Sequence, residues 1–170
     1  MIKWSEEHVT STLFSCWGVA AALNIFYDLP MLNRKDKLSG VYLHNRAQTT
    51  DPLIRGFDDV FYAPQSRFID FPTQVIEDNT DLHVLADSPE AGMFLAVSPD
   101  GRQIFVTGHP EYDALTLAEE YRRDVNAGKN PHIPVNYFPH DDPNFAPPST
   151  WRAHASLLFG NWLNYYVYQV

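Results

Sequence analysis

Short runs of β-forming residues alternate with longer segments of helical spacing, and this alternation restricts the possible folds more than any other property of the chain. Runs rich in apolar and β-branched residues predict strands at 8–15, 39–44, 82–86, 93–97 and 103–107. Apolar residues at helical spacing predict helices at 17–27, 113–127 and 151–168. A turn sequence predicts an antiparallel hairpin between the last two strands, and polar residues at 33–36 predict a loop. Together these patterns indicate an α/β fold whose sheet is mainly parallel.

Composition and charge narrow the classes of function. Apolar residues make up 45% of the 170 residues and charged residues 19%, which predicts one globular domain with a packed core. The net charge of -9 and the scattered basic residues argue against a nucleic-acid partner. The single cysteine excludes an internal disulfide and a cysteine-rich zinc site, and it indicates a reducing compartment, so we expect a cytoplasmic protein. No apolar run reaches the roughly 18 residues that a membrane span requires.

The single cysteine, Cys16, lies where a predicted strand gives way to a predicted helix. Such a junction presents a nucleophile beside backbone N–H groups, and the positive end of the helix dipole favours a thiolate. Gly18, two residues later, would allow another segment to approach closely. The alternative is a buried core cysteine, which is the commoner situation for an isolated free cysteine. Cys16 is therefore a candidate nucleophile whose role depends on a nearby base.

His109 and Glu111 follow the end of a predicted strand and supply the residue types that such a nucleophile needs. Pro110 restricts His109 to an extended conformation, in which residues i and i+2 point the same way. Glu111 can then hold the imidazole in one tautomer. The alternative is a histidine at a strand end that is capped by a neighbouring carboxylate. A thiol after one strand and a His-x-Glu segment after another together predict a catalytic triad.

The segments 14–18 (FSCWG) and 107–113 (TGHPEYD) resemble class I glutamine-amidotransferase-like domains. Other segments are similar to one branch of these proteins, the homoserine O-succinyltransferases of methionine biosynthesis: KLSGVY at 37–42, RGFDD at 55–59, APQSR at 63–67, NYFPHDDP at 136–143 and NWLNYYVYQ at 161–169. The resemblance covers essentially all 170 residues. It implies a three-layer, flavodoxin-like fold in which helices flank a mainly parallel sheet.

The resemblance implies an enzyme that transfers an acyl group from acyl-CoA to the hydroxyl of L-homoserine through a cysteine thioester. By motif match, Cys16 would be the acylated nucleophile, His109 the general base and Glu111 the residue that orients the base. The backbone N–H of Trp17 would be one of two oxyanion donors. No cofactor is implied, because acyl-CoA is a substrate.

The substrate contacts that the resemblance implies are Lys37, Ser66 and Arg123. A guanidinium such as that of Arg123 can bind the homoserine carboxylate through two parallel hydrogen bonds. Without the resemblance, all three would be interpreted as solvated surface residues. The acyl donor is succinyl-CoA or acetyl-CoA, and the overall resemblance favours succinyl-CoA.

Members of the resembled family carry a long segment before the nucleophile, whereas 15 residues precede Cys16 here. We therefore expect residues 1–170 to be the C-terminal part of a single homoserine O-acyltransferase domain, incomplete at its N-terminus. Two alternatives remain open. A glutamine amidotransferase-type amidase would use the same triad on an amide, and an inactive truncated remnant or interaction module would not use it at all.

Two other groups of side chains carry weaker signals. One could suggest a metal, but its spacing fits no standard zinc pattern, so no metal site is expected: His132, His140, Asp141 and Asp142. The other is apolar and is expected to pack in the core, with a homodimer interface as the alternative: Leu157, Leu158, Trp162 and Tyr166.

Overall fold

The computed structural model describes residues 1–168, so the last two positions of the expected 1–170 domain lie outside the described residues. The α-helices are α1 (Ile2–His8), α2 (Trp17–Tyr27), α3 (Thr73–Asn79), α4 (Thr116–Asn126) and α5 (Arg152–Trp162). The β-strands are β1 (Thr12–Ser15), β2 (Leu32–Arg46), β3 (Val60–Asp70), β4 (His83–Ser88), β5 (Gly92–Val97) and β6 (Gln103–Val106). Short 3-10 turns lie at Pro52–Ile54 and Pro139–Asp141, and a π-helical segment, Leu163–Val167, continues α5.

The six strands form one mixed sheet in the order β1-β6-β5-β4-β2-β3. β1 and β6 pair in parallel, whereas the β6–β5, β5–β4, β4–β2 and β2–β3 pairs are antiparallel. The α/β class and the hairpin between β5 and β6 are confirmed, but the expected predominance of parallel pairing is wrong for residues 1–168. Two of the antiparallel pairs join consecutive strands through the short connections 89–91 and 98–102, whereas the one parallel pair joins β1 and β6, which are far apart in the chain.

Two apolar clusters cover the two faces of the sheet and give the expected three layers. Consecutive residues of β6 show the alternation: Phe105 packs with the cluster under α2 and α3, whereas Ile104 and Val106 pack with the cluster under α5. The residues of β5 from Met93 to Val97 are all buried, as expected for a strand that is covered on both faces. A third cluster joins α4 to β2 through Leu117. The sheet therefore sits at the centre of the molecule, and its strand ends are available for a site.

The sequence patterns locate most elements but not their full extent. The helix expected at 17–27 coincides with α2. The loop expected at 33–36 is wrong, because these residues belong to the long strand β2, whose register against β3 shifts between Asn33 and Leu38. Polar side chains are compatible with a strand there, because β2 pairs with β3 along one edge in this stretch and most of its side chains face solvent. The short helix α3 is absent from the sequence-based expectations.

The apolar side chains of the C-terminal helix pack on the core. Leu158 is completely buried, and Leu157, Trp162 and Tyr166 pack against the same cluster. The hydroxyl of Tyr166 also donates a hydrogen bond to Asp51 at 2.7 Å. Core packing therefore accounts for the apolar stripe, and a homodimer stays a prediction. Among the helices of residues 1–168, none has the length and apolar character needed to cross a membrane.

One polar side chain, His44 of β2, lies completely inside the core. Its ring stacks on Phe61 with centroids 5.6 Å apart and also contacts Phe94 at 4.7 Å. Its Nε2 lies 3.3 Å from the amide nitrogen of Gln65, so the neutral imidazole accepts this hydrogen bond. Burial lowers the pKa of His44 from 6.5 to about 4. The fold therefore requires this histidine to be uncharged.

We expect His44 to make the folded chain less stable in mild acid. Because its pKa is lower in the folded than in the unfolded chain, the unfolded state takes up the proton first as the pH falls below 6.5, and stability declines until about pH 4. The contribution of this residue to the free energy of unfolding should fall by about 3 kcal/mol across that interval and stay constant above neutral pH. Urea unfolding at a series of pH values measures it.

The matched control is His83→Gln, because His83 lies on β4 with an exposed side chain. His44→Gln should lose most of the difference in unfolding free energy between neutral and mildly acidic pH, whereas His83→Gln should retain it. The same acid dependence in His44→Gln and in the unaltered chain would contradict this assignment.

Candidate active site

Cys16 joins the end of β1 to the start of α2 in a strained backbone conformation. Its φ of 47° and ψ of -111° are rare for a residue other than glycine, and such conformations cost about 1–3 kcal/mol. Its amide donates a hydrogen bond to the carbonyl of Val106 at 2.9 Å, which fixes the turn to the end of β6. The side chain is partly exposed and lies at the positive end of α2. This is the geometry of a side chain lifted out of a sheet to meet a ligand.

His109 and Glu111 follow β6 and form a direct pair beside the thiol. Nδ1 of His109 donates a hydrogen bond to Oε1 of Glu111 at 2.7 Å, which leaves Nε2 for the sulfur of Cys16. Burial acts to lower the pKa of His109, but hydrogen bonds with Cys16 and Glu111 outweigh it and raise the pKa from 6.5 to about 9. The structure therefore brings the three expected triad side chains to one place, where the ends of β1 and β6 meet.

The backbone of β3 contacts both reactive residues. The carbonyl of Pro64 accepts a hydrogen bond from the amide of His109 at 2.9 Å. The carbonyl of Ser66, two residues later, accepts one from the thiol of Cys16 at 3.9 Å. Gly108 permits this approach, because a Cβ at its position would lie 2.7 Å from the carbonyl oxygen of Pro64. The hairpin of β2 and β3 thus crosses the ends of β1 and β6 and forms one wall of the site.

Glu120 of α4 receives hydrogen bonds from three other parts of the chain. Lys37 of β2 donates to Oε2 at 2.8 Å, and the hydroxyl of Ser66 donates to the same oxygen. The hydroxyl of Tyr112 donates to Oε1 at 2.6 Å. Burial acts to raise the pKa of Glu120, but these three hydrogen bonds outweigh it and hold the pKa below its usual range. Two of the expected substrate contacts, Lys37 and Ser66, therefore meet on one ionised carboxylate.

Sequence reasoning did not single out Glu120 or Tyr112. A signal for Glu120 exists, because Glu120 and Asp124 lie four residues apart on one helix face, where two carboxylates need a cation opposite them. That cation is Lys37, whose Nζ lies 2.8 Å from Glu120 and 3.6 Å from Asp124. Tyr112 has no comparable signal, because its contact with Glu120 depends on where α4 packs. Its ring stacks on that of His109 with centroids 4.3 Å apart.

Arg123 lies at the solvent-exposed side of the charged group that Lys37, Glu120 and Asp124 form. Its guanidinium is mostly exposed and contacts Oδ1 of Asp124 at 3.3 Å. Asp124 also pairs with Lys129 at 3.1 Å, and Lys37 approaches its other oxygen. Burial acts to raise the pKa of Asp124, but Lys129, Lys37 and Arg123 outweigh it and lower the pKa. Arg123 is therefore linked to Lys37 through a shared carboxylate, and its contact with a substrate stays a prediction.

The remaining sequence candidates lie at the edge of the site or away from it. The amide of Trp17 occupies the first position of α2, where N–H groups have no partner within the helix. A Cβ at Gly18 would have no neighbour within 4 Å, so the expected close approach of another segment is wrong for the described chain. His140 packs edge-on against Phe145. Within residues 1–168, no group of three or more His, Cys, Asp or Glu side chains is placed to hold a metal ion.

Solved structures identify the class of fold. A glutamine amidotransferase from Methylobacillus flagellatus aligns over 95% of this chain and 66% of its own, with a TM-score of 0.64 and 11% sequence identity. A glutamine amidotransferase from Thermotoga maritima aligns over 94% of this chain and 62% of its own, with a TM-score of 0.60 and 16% identity. At such low identities the likeness concerns the fold alone. The chain therefore has a class I glutamine-amidotransferase-like fold, as the sequence resemblance implied.

Sequence comparison identifies the family. The homoserine O-succinyltransferase family matches residues 1–170, and the chain belongs to this family. A homoserine O-acetyltransferase from Succinatimonas hippei is 72% identical over all 170 residues, which correspond to 56% of that protein. A homoserine O-succinyltransferase from Pectobacterium carotovorum is 59% identical over the same residues, or 55% of its length. The chain thus spans about half the length of these relatives.

We expect Glu111→Gln to lower the pKa of His109 from about 9 by about 1 to 2 pH units. The reason is that a hydrogen bond to a charged carboxylate is replaced by one to a neutral amide, which no longer favours the imidazolium. NMR titration of the imidazole Cε1 proton measures the pKa directly. Glu119→Gln is the control, because Glu119 is an exposed carboxylate of α4. An unaltered titration in Glu111→Gln would refute the role of the carboxylate.

Proposed function

We propose that the chain carries the catalytic centre of a homoserine O-acyltransferase, which transfers an acyl group from acyl-CoA to L-homoserine in methionine biosynthesis. The observation that carries the proposal is the convergence of thiol, imidazole and carboxylate in Cys16, His109 and Glu111 at the ends of two parallel strands. Membership in the homoserine O-succinyltransferase family and the names of the relatives support the same reaction.

In the first half-reaction, the thiolate of Cys16 attacks the carbonyl carbon of the acyl-CoA thioester. The amide of Trp17 donates to the developing oxyanion, and a second donor is required beside it. The bond between the acyl carbon and the CoA sulfur then breaks, and the leaving thiolate takes a proton from the imidazolium of His109. A thioester on Cys16 replaces the thioester of CoA, so this exchange is nearly isoenergetic.

In the second half-reaction, the hydroxyl of L-homoserine attacks the thioester on Cys16. Acylation converts Cys16, one of the two side chains that raise the pKa of His109, into a neutral thioester. The imidazole is therefore neutral more readily in the acyl-enzyme, and its Nε2 can take the hydroxyl proton. Collapse of the tetrahedral intermediate forms the ester and releases the thiolate. Glu111 holds the ring in the required tautomer throughout.

The charges beside the thiol suit a zwitterionic acceptor. The carboxylate of Glu120 can bind an ammonium group, and Lys37 and Arg123 can bind a carboxylate. Lys37 and Glu120 pair with each other at 2.8 Å, so an amino acid would exchange one ion pair for two without changing the net charge. An acceptor with a single charge would leave either Lys37 or Glu120, both mostly buried, without its counter-ion.

Acyl-CoA acts in this proposal as a substrate, and the chemistry needs no resident cofactor. The relatives differ in the acyl group that their names specify, since the 72% identical protein is an acetyltransferase and the 59% identical protein is a succinyltransferase. Both donors therefore belong in the experiment. We assign the reaction to the cytoplasm, where a lone cysteine stays reduced.

We expect either succinyl-CoA or acetyl-CoA to acylate Cys16, and L-homoserine to discharge the adduct. Intact-mass spectrometry follows the acyl-enzyme, and a thiol reagent follows released CoA. Cys16→Ala should form no adduct. His109→Gln should slow both steps by about 100-fold or more, which is the range for general acid–base catalysis.

Other outcomes of the same assay would select the alternatives. Ammonia release from glutamine, with no acylation by either CoA ester, would favour the amidase. A chain that unfolds cooperatively but forms no adduct with either donor would favour an inactive remnant or an interaction module. CoA release that does not respond to homoserine would indicate a thioesterase and would contradict acyl transfer.

We expect Lys37→Met to weaken the acceptor half-reaction. The substitution keeps most of the aliphatic length but removes the cation that faces Glu120 and Asp124, so the two carboxylates lose their shared partner. The KM for L-homoserine should rise by about tenfold or more, which is the expected cost of losing a hydrogen bond between charged groups. Acylation of Cys16 should be much less affected. The control is Lys35→Met, which removes an exposed cation two residues earlier on β2.

A further inference from the structure

Tyr112 contacts both His109 and Glu120, and it has no role in the reaction described above. Its ring lies nearly parallel to the imidazole of His109, with an interplanar angle of 17° and centroids 4.3 Å apart. Its hydroxyl donates a hydrogen bond to Oε1 of Glu120 at 2.6 Å. The same side chain therefore touches the base through its face and the acceptor-side carboxylate through its end.

Other contacts hold Tyr112 in place. Its amide donates to the carbonyl of His109 at 3.1 Å, which closes a tight turn between the two residues. Its carbonyl accepts a hydrogen bond from the indole of Trp151 at 2.9 Å, and Trp151 is buried beneath α4. Burial and the hydrogen bond to Glu120 raise the pKa of Tyr112, so the hydroxyl stays protonated and remains a donor. The ring has little freedom to move independently of Glu120.

We propose that Tyr112 is a positioning residue that fixes the plane of the His109 imidazole and couples it to Glu120, so that the arrival of the acceptor aligns the base. The proposal rests on the proposed acyltransferase function for its acceptor, an α-amino acid with a free ammonium group. Through Tyr112, His109 is connected to Glu120, and the triad alone does not make this connection.

The coupling between Glu120 and His109 follows from how the two carboxylate oxygens of Glu120 are occupied. Lys37 and Ser66 occupy one oxygen and Tyr112 the other. An ammonium group that binds Glu120 must share or displace these donors, and the Tyr112 hydroxyl must adjust with the carboxylate. Because the aromatic ring is rigid, a movement of its hydroxyl end tilts the face that packs on His109. Occupation of the acceptor site is thereby transmitted to the group that removes the acceptor proton.

The test uses two substitutions that separate the hydroxyl from the ring. Tyr112→Phe keeps the stacked ring and removes the hydrogen bond to Glu120, whereas Tyr112→Leu removes both. The matched control is Tyr166→Phe, which deletes another tyrosine hydroxyl that donates to a carboxylate, that of Asp51 at 2.7 Å, on the C-terminal segment. Circular dichroism melts of each variant verify that the chain is folded.

The first measurement is the NMR titration of the His109 imidazole without any substrate. Tyr112→Leu should lower the pKa of His109, because a loosened ring makes weaker hydrogen bonds with Cys16 and Glu111, whereas Tyr112→Phe should leave it unchanged. The second measurement adds L-homoserine. The imidazole resonances should shift in the unaltered chain and in Tyr166→Phe, and this response should be lost in Tyr112→Phe.

Kinetics supply a third measurement. Tyr112→Phe should reduce the rate of acyl transfer from Cys16 to homoserine by about tenfold, the range for a hydrogen bond to a charged group, and leave formation of the acyl-enzyme within about twofold. Tyr112→Leu should slow both half-reactions. A purely structural role would instead lower both rates together in both variants, in proportion to lost stability.

The outcomes separate this proposal from the proposed function. An unaltered His109 titration in Tyr112→Leu, or a full homoserine response in Tyr112→Phe, would overturn the positioning role even if acyl transfer is observed. If neither CoA ester acylates Cys16, the acyltransferase proposal fails, while the titration of Tyr112→Leu still decides whether Tyr112 holds the imidazole. A homoserine response that is absent from an unaltered, active chain would overturn the coupling.

Discussion

Two backbone carbonyls of β3 contact the residues that follow the parallel strands β1 and β6 and that supply the candidate catalytic side chains. The carbonyl of Pro64 binds the amide of His109, and that of Ser66 faces the thiol of Cys16. The positions of Cys16 and His109 relative to each other depend first on the parallel pairing of β1 with β6, where the amide of Cys16 donates to the carbonyl of Val106, and the β3 carbonyls lie against both residues. Ser66 then extends the same strand to Glu120 through its hydroxyl. One segment of backbone thus contacts both the candidate triad and Glu120, and Gly108 leaves the space that the close approach of Pro64 needs.

The charged side chains near β3 are arranged as ion pairs. Lys37 lies between the carboxylates of Glu120 and Asp124, and both carboxylates have a lowered pKa. An ionised carboxylate that is mostly buried is stable only while its donors stay in place. The site therefore favours a ligand that brings one charge of each sign, since such a ligand redistributes the pairs without leaving one unmatched.

The sequence was sufficient for the residues whose chemistry is local. The position of Cys16 between a strand and α2, and the i and i+2 relation of His109 and Glu111, are properties of short segments and are visible without a structure. The strand pairing was not, because the direction in which β2 and β3 fold back depends on packing between distant segments. Tyr112 was missed because its contact with Glu120 depends on where α4 packs, whereas the spacing of Glu120 and Asp124 on α4 was a local signal that the sequence did contain.

The positive φ of Cys16 lowers the stability of the folded chain. Glycine adopts such a backbone angle without steric cost, so folding energy alone favours glycine at this position. Replacement of Cys16 by glycine would relieve this strain and would remove the contact of the thiol with the carbonyl of Ser66. The strain at Cys16 therefore disfavours cysteine on folding grounds alone, and the proposed role of its sulfur in acyl transfer is what would offset that cost.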